Sequence, residues 1–301
     1  MKMKDTYGQF FAIRLSFAFG IIMLTLKWYA YIITGSSAIL SDAAESVVHI
    51  IGVGFAVFSL WLSMRPADEK HTYGHDKISY FSAGFEGALI VLAAFYILYI
   101  SSRRLITGVQ LTNIDLGTYF ILAAALLNLF LGLFLLRKGN TTNSLILSAN
   151  GKHVLTDSWT SFGIVVGLIL TRATGWLPFD PILAILVALN ILWSGSKLIR
   201  KSAGGLMDEG AESIGNIIRE SINEKIRETN LKYHELRYRE SGNVVWVEFH
   251  LLFPKDALLK DAHHYATEIE KSIKSKLKSN VHITTHLETL EDHQVEHEEV
   301  S

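Results

Sequence analysis

Five histidine and carboxylate side chains, all of types that bind metal ions, lie inside two apolar stretches of the chain. Asp42, Glu45 and His49 occur within ILSDAAESVVHIIG, and His153 and Asp157 occur within NGKHVLTDSWTSFG. Glu45 precedes His49 by four residues, as His153 precedes Asp157, so each pair is expected on one helix face, one turn apart. An ionisable group inside a membrane helix costs about 2.5–3.5 kcal/mol on insertion scales, so these groups are candidates for a function.

The two pairs together offer two imidazoles and two carboxylates, a set suited to tetrahedral Zn²⁺. Mg²⁺ prefers oxygen ligands, and the chain has no cysteine that could supply a thiolate. The alternative is that these groups form buried hydrogen-bonded pairs that hold helices together. Asp42 has three open roles: a carboxylate on the path into the site, a fifth ligand, or a satisfied helix-end residue.

The overall composition indicates a membrane protein. Half of the 301 residues are hydrophobic, and the mean hydropathy is +0.28. A net charge of -1 argues against a basic nucleic-acid-binding protein. A membrane-spanning helix needs roughly 20 mostly apolar residues. The segments that meet this length are residues 9–33, 38–63, 79–101, 114–136, 145–171 and 177–199.

Basic residues between the apolar segments predict how the chain is oriented. Most of them fall on one side if the helices alternate, and that side is predicted to be cytoplasmic. These residues are Arg65, Lys70, Lys77, Arg137, Lys138, Lys197, Arg200 and Lys201. Arg103, Arg104 and Arg172 fall on the opposite side. Both termini are therefore expected in the cytoplasm, with residues 1–205 forming a six-helix transmembrane domain.

The pattern changes after about residue 206. Apolar residues at helical spacing occur in 205–226 and 262–277, and strand-like alternation occurs in 233–240, 244–252 and 281–289. The order αββαβ predicts a small α+β domain over 206–290, with a sheet covered by two helices. Residues 291–301 are expected to form an acidic tail.

Together, these motifs resemble the cation diffusion facilitator family. RPADEKHTYGHDKISYFSAGFEGALI is similar to the family signature between helices 2 and 3, and YHELRYRESGNVVWVEFHLLF, DAHHYA and ITTHLET are similar to its C-terminal domain. The resemblance extends from about Lys27 to Glu288. It implies six transmembrane helices, a cytoplasmic ferredoxin-like (metallochaperone-like) domain, and a homodimer that exchanges a divalent metal ion for protons across a lipid bilayer, without enzymatic activity.

The resemblance also implies that Glu45, His49, His153 and Asp157 form the transport site. Zinc-transporting members often carry His then Asp on helix 2, or Asp twice, whereas this chain carries Glu then His. The total of two imidazoles and two carboxylates is that of the common zinc type. Zn²⁺ is therefore the predicted substrate, with Fe²⁺, Co²⁺ and Cd²⁺ as alternatives.

Two further metal sites are implied outside the apolar segments. Asp68, His71 and His75 match a second metal position of some members, with a solvated polar loop as the alternative. A cytoplasmic site, with Zn²⁺ as a regulatory ligand, would use residues that could otherwise be ordinary surface groups: His234, His250, His263, His286 and Glu288.

Other charged residues and histidines are expected to have structural or surface roles. Lys77 and Asp208 resemble an interlocking charge pair of the family, or else are a lysine of the cytoplasmic side and an aspartate at a helix start. The remaining C-terminal histidines are expected to be surface or tail residues: His264, His282, His293 and His297.

Three other classes of protein would also place histidines and carboxylates in these positions. An intramembrane metalloenzyme would need a vacant coordination position and a general base, and no HExxH helix is present. A channel would conduct without proton coupling, and a membrane metal sensor would leave the membrane ligands without a use. The sequence has no long His-rich loop between helices 4 and 5, a feature of many vesicular eukaryotic relatives, so a bacterial inner membrane is expected.

Overall fold

The computed structural model describes residues 2–141, 145–229, 231–242, 244–277 and 280–290. The predicted tail 291–301, with His293 and His297, lies outside the described residues. The chain divides into two compact units, one formed by residues up to 55 together with 85–199, the other by 56–84 together with the residues from 200 onward.

Long helices make up the first two thirds of the chain. They are α1 (Lys2–Thr34), α2 (Ser37–Ser63), α3 (Ile78–Thr107), α4 (Ile114–Thr141), α5 (Leu145–Thr174) and α6 (Phe179–Leu206). Each contains a stretch long and apolar enough to cross a membrane. The prediction of six spanning helices is confirmed, and the protein is a multi-pass membrane protein. Some helices extend past their predicted bounds because apolar length marks only the part that would lie in hydrocarbon.

A small α+β domain follows in the predicted order αββαβ, which is confirmed. Its elements are α7 (Glu212–Thr229), β1 (Lys232–Ser241), β2 (Val244–Phe253), α8 (Leu259–Lys276) and β3 (Asn280–Thr289). The sheet order is β1-β2-β3, with β1 and β2 antiparallel and β2 and β3 parallel. The helical pattern predicted from residue 205 begins later, at Glu212. Asp208 has a left-handed φ of 63°, a conformation that does not continue a helix.

The sheet has one apolar and one polar face. On β2, Val245, Val247 and Phe249 are buried, whereas Trp246 and His250 alternate with them on the opposite face. The apolar face packs with residues of α7 and α8, including Ile218, Ile222, Ile269 and Ile273. The polar face is therefore the one that carries the histidines.

The N-terminus of α2 is fixed by a carboxylate from α6. Asp180 is completely buried and accepts hydrogen bonds from Ser37 N (2.7 Å), from Ala38 N (3.2 Å) and from the Ser36 hydroxyl. Arg104 donates to the Gly35 carbonyl and to Ser37 Oγ. These bonds satisfy amide groups that a helix start leaves unpaired. They anchor the helix that carries Glu45 and His49. Arg104, which lies on the side opposite to the predicted cytoplasmic side, thus has a structural role.

Helix α5 lies close against α4 because glycines face each other at the contact. A Cβ added to Gly151 would lie 2.8 Å from Leu136 N and 3.1 Å from Gly132 O, too close for any side chain. Gly132 likewise has no room, since its Cβ would lie 2.7 Å from Leu155 Cγ. His153, two residues after Gly151, is thereby held against the other helices.

Candidate metal centres

The four predicted transport-site residues line one cavity of about 320 Å³ between the spanning helices. The imidazole rings of His49 and His153 have centroids 4.1 Å apart. Nε2 of His153 lies 3.6 Å from Oδ2 of Asp157, and Glu45 precedes His49 by one turn of α2. The fold thus brings the two i,i+4 pairs from α2 and α5 to the same space.

Several nitrogen and oxygen atoms in this cavity lack hydrogen-bond partners. In the described part of the chain, His49 Nδ1, His153 Nε2 and Asp157 Oδ1 are buried without a hydrogen bond. Leaving a buried polar atom unpaired costs about 1–3 kcal/mol, so such atoms need an explanation. If these groups served only to join helices, they would be expected to bond to one another. Their free lone pairs favour the binding of a cation.

A buried ion pair that no residue spacing predicts lies close to Glu45. Lys27 Nζ donates to Asp42 Oδ1 (2.8 Å) and to Ser46 Oγ (3.1 Å), and Ser161 Oγ donates to Asp42 Oδ2 (2.8 Å). Both charged residues are 1% exposed. Both carboxylate oxygens of Asp42 accept hydrogen bonds. The structure therefore favours a structural role for Asp42 over a role as a fifth ligand or as a carboxylate on the path into the site. In the sequence, the single lysine Lys27 inside an apolar segment indicates that a buried acidic partner is needed.

The loop between α2 and α3 brings Asp68, His71 and His75 together. One ligand atom from each lies within 4.8 Å of the others, with His71 Nδ1 3.0 Å from Asp68 Oδ1 and His75 Nε2 3.5 Å from Asp68 Oδ2. Hydrogen bonds from the backbone of His71 and of Lys70, together with the His71 side chain, lower the pKa of Asp68 despite some desolvation. The carboxylate is therefore ionised at neutral pH and able to bind a cation.

The polar face of the sheet carries a second compact group. His234, His250 and His286 are aligned across the three strands, and Glu288 lies among them. Its oxygens are 3.0 Å from His234 Nε2, 2.6 Å from His250 Nδ1 and 3.5 Å from His286 Nε2. Burial alone would raise the pKa of Glu288, but the hydrogen bond with His234 and the nearby imidazoles lower it overall. The ligand atoms of His234, His250 and Glu288 all lie within 4.8 Å.

Other residues of this unit lie beside or outside the group formed by the three aligned histidines and Glu288. His263 lies exposed on α8 and is not part of the group just described, so its role stays a prediction. Glu235, which the sequence analysis did not select, lies 3.9 Å from His250 Nε2. It stands at an irregularity in the β1–β2 register, between His234 and Arg237, which alternation cannot reveal. His282, expected as a surface residue, stacks on Trp246 with ring centroids 4.5 Å apart.

The two charged residues singled out next to the helices form an ion pair. Lys77 Nζ lies 2.8 Å from Asp208 Oδ1, and Arg239 Nη1 lies 3.4 Å from Asp208 Oδ2. The contact with Lys77 is the main cause that lowers the pKa of Asp208, and the charge of Arg239 adds to it. Of the two interpretations, the structure favours the charge pair.

Comparison with known proteins identifies the family. Residues 13–207 match the family model of the cation efflux transmembrane domain, and residues 212–290 match that of the cytoplasmic domain of cation efflux proteins. The chain belongs to the cation diffusion facilitator family. Its cation efflux role therefore follows from both parts of the chain, and the resemblance inferred from the motifs is confirmed.

Relatives of this cation diffusion facilitator match over most of their length. It is 37% identical over 278 residues to the uncharacterized transporter sll1263 of Synechocystis sp., which covers 92% of this chain and 89% of the relative. It is 29% identical over 253 residues to the cation-efflux pump FieF of Shewanella oneidensis, 84% of each chain. The zinc transporter ZitB of Escherichia coli is 28% identical over 259 residues, 84% of this chain and 82% of the relative. The family is one of divalent metal transporters, and its C-terminal domain fits a homodimer.

Proposed function

We propose that this protein exports Zn²⁺ in exchange for protons, with the ion held by Glu45, His49, His153 and Asp157. The observation that carries the proposal is the set of buried ligand atoms without hydrogen-bond partners on His49, His153 and Asp157, which all face one cavity. Two imidazoles and two carboxylates are a tetrahedral zinc set. The name of ZitB, a zinc transporter, supports the same metal.

Proton exchange follows from the chemistry of the imidazole ligands. An imidazole must be neutral to bind a metal ion, so an ion that enters from the cytoplasm displaces protons from His49 and His153. The helices then rock to open the cavity to the other side. There protons compete with the ion for its ligands and release it. The cycle is alternating access driven by the inward proton gradient.

The wider arrangement is proposed with the same mechanism. Residues 1–205 form the transport domain, and residues 206–290 form a cytoplasmic domain for metal binding and dimerisation. Both termini lie in the cytoplasm, and the membrane is a bacterial inner membrane. The linker group at Asp68 and the sheet group at Glu288 deliver or sense Zn²⁺ on the cytoplasmic side.

Other metals and other classes give the alternatives. Fe²⁺, Co²⁺ or Cd²⁺ could use the same cavity by the same mechanism. A membrane metal sensor would use the cytoplasmic groups, which are compact enough to bind an ion, but would leave the membrane cavity without a task. An intramembrane metalloenzyme would need a vacant zinc position, and four protein ligands leave none.

The test is metal flux in proteoliposomes that contain a pH-sensitive dye. The wild-type protein is expected to move Zn²⁺ with protons in the opposite direction, and Asp157→Ala is expected to lose both movements. Asp115→Ala is the matched control, since Asp115 is an exposed carboxylate on α4 paired with Arg172. Flux that survives in Asp157→Ala would place the transport site elsewhere. Zinc flux that an uncoupler leaves unchanged would contradict proton exchange.

A further inference from the structure

A carboxylate from a third helix also lines the intramembrane cavity. Glu86, in the third turn of α3, borders the same space as Glu45, His49, His153 and Asp157. Spacing within the sequence predicts ligands only on helices 2 and 5. The cavity wall therefore holds one more carboxylate than the four-residue set contains.

The position of Glu86 is defined by a glycine on α2. A Cβ added to Gly52 would lie 2.9 Å from Glu86 Cδ and 3.1 Å from Glu86 Oε1. Gly52 follows His49 by three residues, so both lie on the same face of α2. The Glu86 carboxylate thus lies beside the His49 ligand position, in space that exists because residue 52 has no side chain.

The Glu86 carboxylate also lacks a structural role of the kind its neighbours have. Within the described residues it takes part in no hydrogen bond or ion pair, although it is half-buried and close enough to His153 for their charges to interact. Two other buried carboxylates on the spanning helices have protein partners: Asp42 binds Lys27 and Asp180 caps α2. A half-buried carboxylate without a partner, facing a cavity with other ligands, favours metal binding.

We propose that Glu86 is a further ligand of the transported ion and broadens the range of metals that the cavity accepts. The inference rests on the proposed function, because it places Glu86 in that transport site. Four ligands complete a tetrahedral zinc shell, whereas a third carboxylate allows five or six donor atoms. Divalent ions that favour more than four ligands, represented by Co²⁺, gain most from it.

The direct test compares Co²⁺ and Zn²⁺ flux in proteoliposomes for the wild type, Glu86→Gln and Asp157→Ala. Glu86→Gln keeps the size of the side chain but removes its charge. It is expected to lower the initial Co²⁺ rate by about tenfold, the order by which loss of a supporting group weakens a metal site, while Zn²⁺ flux persists. Asp157→Ala is expected to lose both ions.

A second pair of variants tests whether the position of the Glu86 carboxylate matters while its charge is kept. Gly52→Ala would push the flexible end of Glu86 away from His49, so the Co²⁺ to Zn²⁺ ratio should fall as in Glu86→Gln. Gly54→Ala makes the same change two residues along α2, where an added Cβ meets no atom within 4 Å. It should keep the wild-type ratio.

The outcomes separate this inference from the proposed function. An unchanged ratio in Glu86→Gln and Gly52→Ala, with Asp157→Ala inactive, would overturn the role of Glu86 and leave the four-ligand site intact. Flux of both ions in Asp157→Ala would instead overturn the proposed transport site itself. A ratio lowered in Glu86→Gln and Gly52→Ala but not in Gly54→Ala would support the inference.

Discussion

At the scale of single residues, Lys27 and Asp42 show how a membrane protein accommodates charge that carries no ligand role. The pair is nearly inaccessible to solvent, and Ser46 and Ser161 complete its hydrogen bonds. Three helices, α1, α2 and α5, contribute to it. The pair therefore joins the helices that carry Glu45 and Asp157.

Removing one partner of this pair should destabilise the protein much more than removing both. Lys27→Met leaves a buried, unpaired carboxylate and is expected to reduce the free energy of unfolding by about 3–5 kcal/mol. Adding Asp42→Asn removes the orphaned charge and should restore most of the loss. Thermal unfolding of the two single variants and the double variant in detergent measures the coupling. The prediction would be wrong if the double variant lost as much unfolding free energy as the two single variants lose together.

The four candidate transport ligands could be predicted from the sequence because the pattern that relates them is local. Glu45 with His49, and His153 with Asp157, are each four residues apart, and helical geometry alone puts each pair on one face. Lys27 and Glu86 could not be placed in this way. Their importance depends on contacts with α2 that no spacing within α1 or α3 records.

At the scale of elements, the position of α2 depends on one residue far away in the chain. Asp180 follows Ser36 by 144 residues, yet its carboxylate binds the hydroxyl and amide groups at the start of α2. A buried anion at a helix N-terminus also interacts favourably with the helix dipole. The first turn of α6 is therefore a support for the helix that carries Glu45 and His49.

Asp180→Ala should destabilise the protein, because the Ser37 and Ala38 amides would lose their acceptor in a buried place. Loss of a helix cap costs typically about 1 kcal/mol, and burial raises that cost. The midpoint of thermal unfolding in detergent measures it. Asp115→Ala serves as the control, since it removes an exposed ion pair, worth about 0–1 kcal/mol. Equal midpoints for both variants would show that Asp180 does not support α2.

The number and approximate limits of the helices could be predicted because apolar length has a direct physical meaning in a bilayer. Their ends could not, since polar residues continue α3 to Thr107 and α6 to Leu206. The close packing of α4 against α5 could not be predicted from the sequence either. Gly132 and Gly151 lie against each other's helices, but nothing in the sequence distinguishes them from glycines that face open space, such as Gly163.

At the scale of the whole molecule, the order of the C-terminal elements could be predicted, but not how the strands pair. Alternation identified three strands, whereas the parallel pairing of β2 with β3 depends on the crossover through α8. That pairing aligns His286 with His250 and brings Glu288 to His234. This group of candidate metal ligands therefore forms only in the completed sheet.

Zinc bound by this group is expected to draw the two C-terminal domains of the homodimer together, because the ion offsets the negative charge of the Glu288 carboxylates. The chain has no cysteine, so Lys271→Cys on the outer side of α8 gives a single site for a spin label. The label-to-label distance should shorten when Zn²⁺ is added. Glu288→Gln should abolish the change and His71→Ala should keep it. A distance unaffected by Zn²⁺ would contradict this role.

The proposed transport site can be tested by locating zinc within the membrane-spanning helices. Anomalous scattering at the zinc edge, measured from crystals of the zinc-loaded protein, reports where the ion lies. We expect a peak between α2 and α5, about 2.0–2.2 Å from donor atoms of Glu45, His49, His153 and Asp157. Peaks confined to the groups around Asp68 and Glu288, with none between α2 and α5, would contradict it.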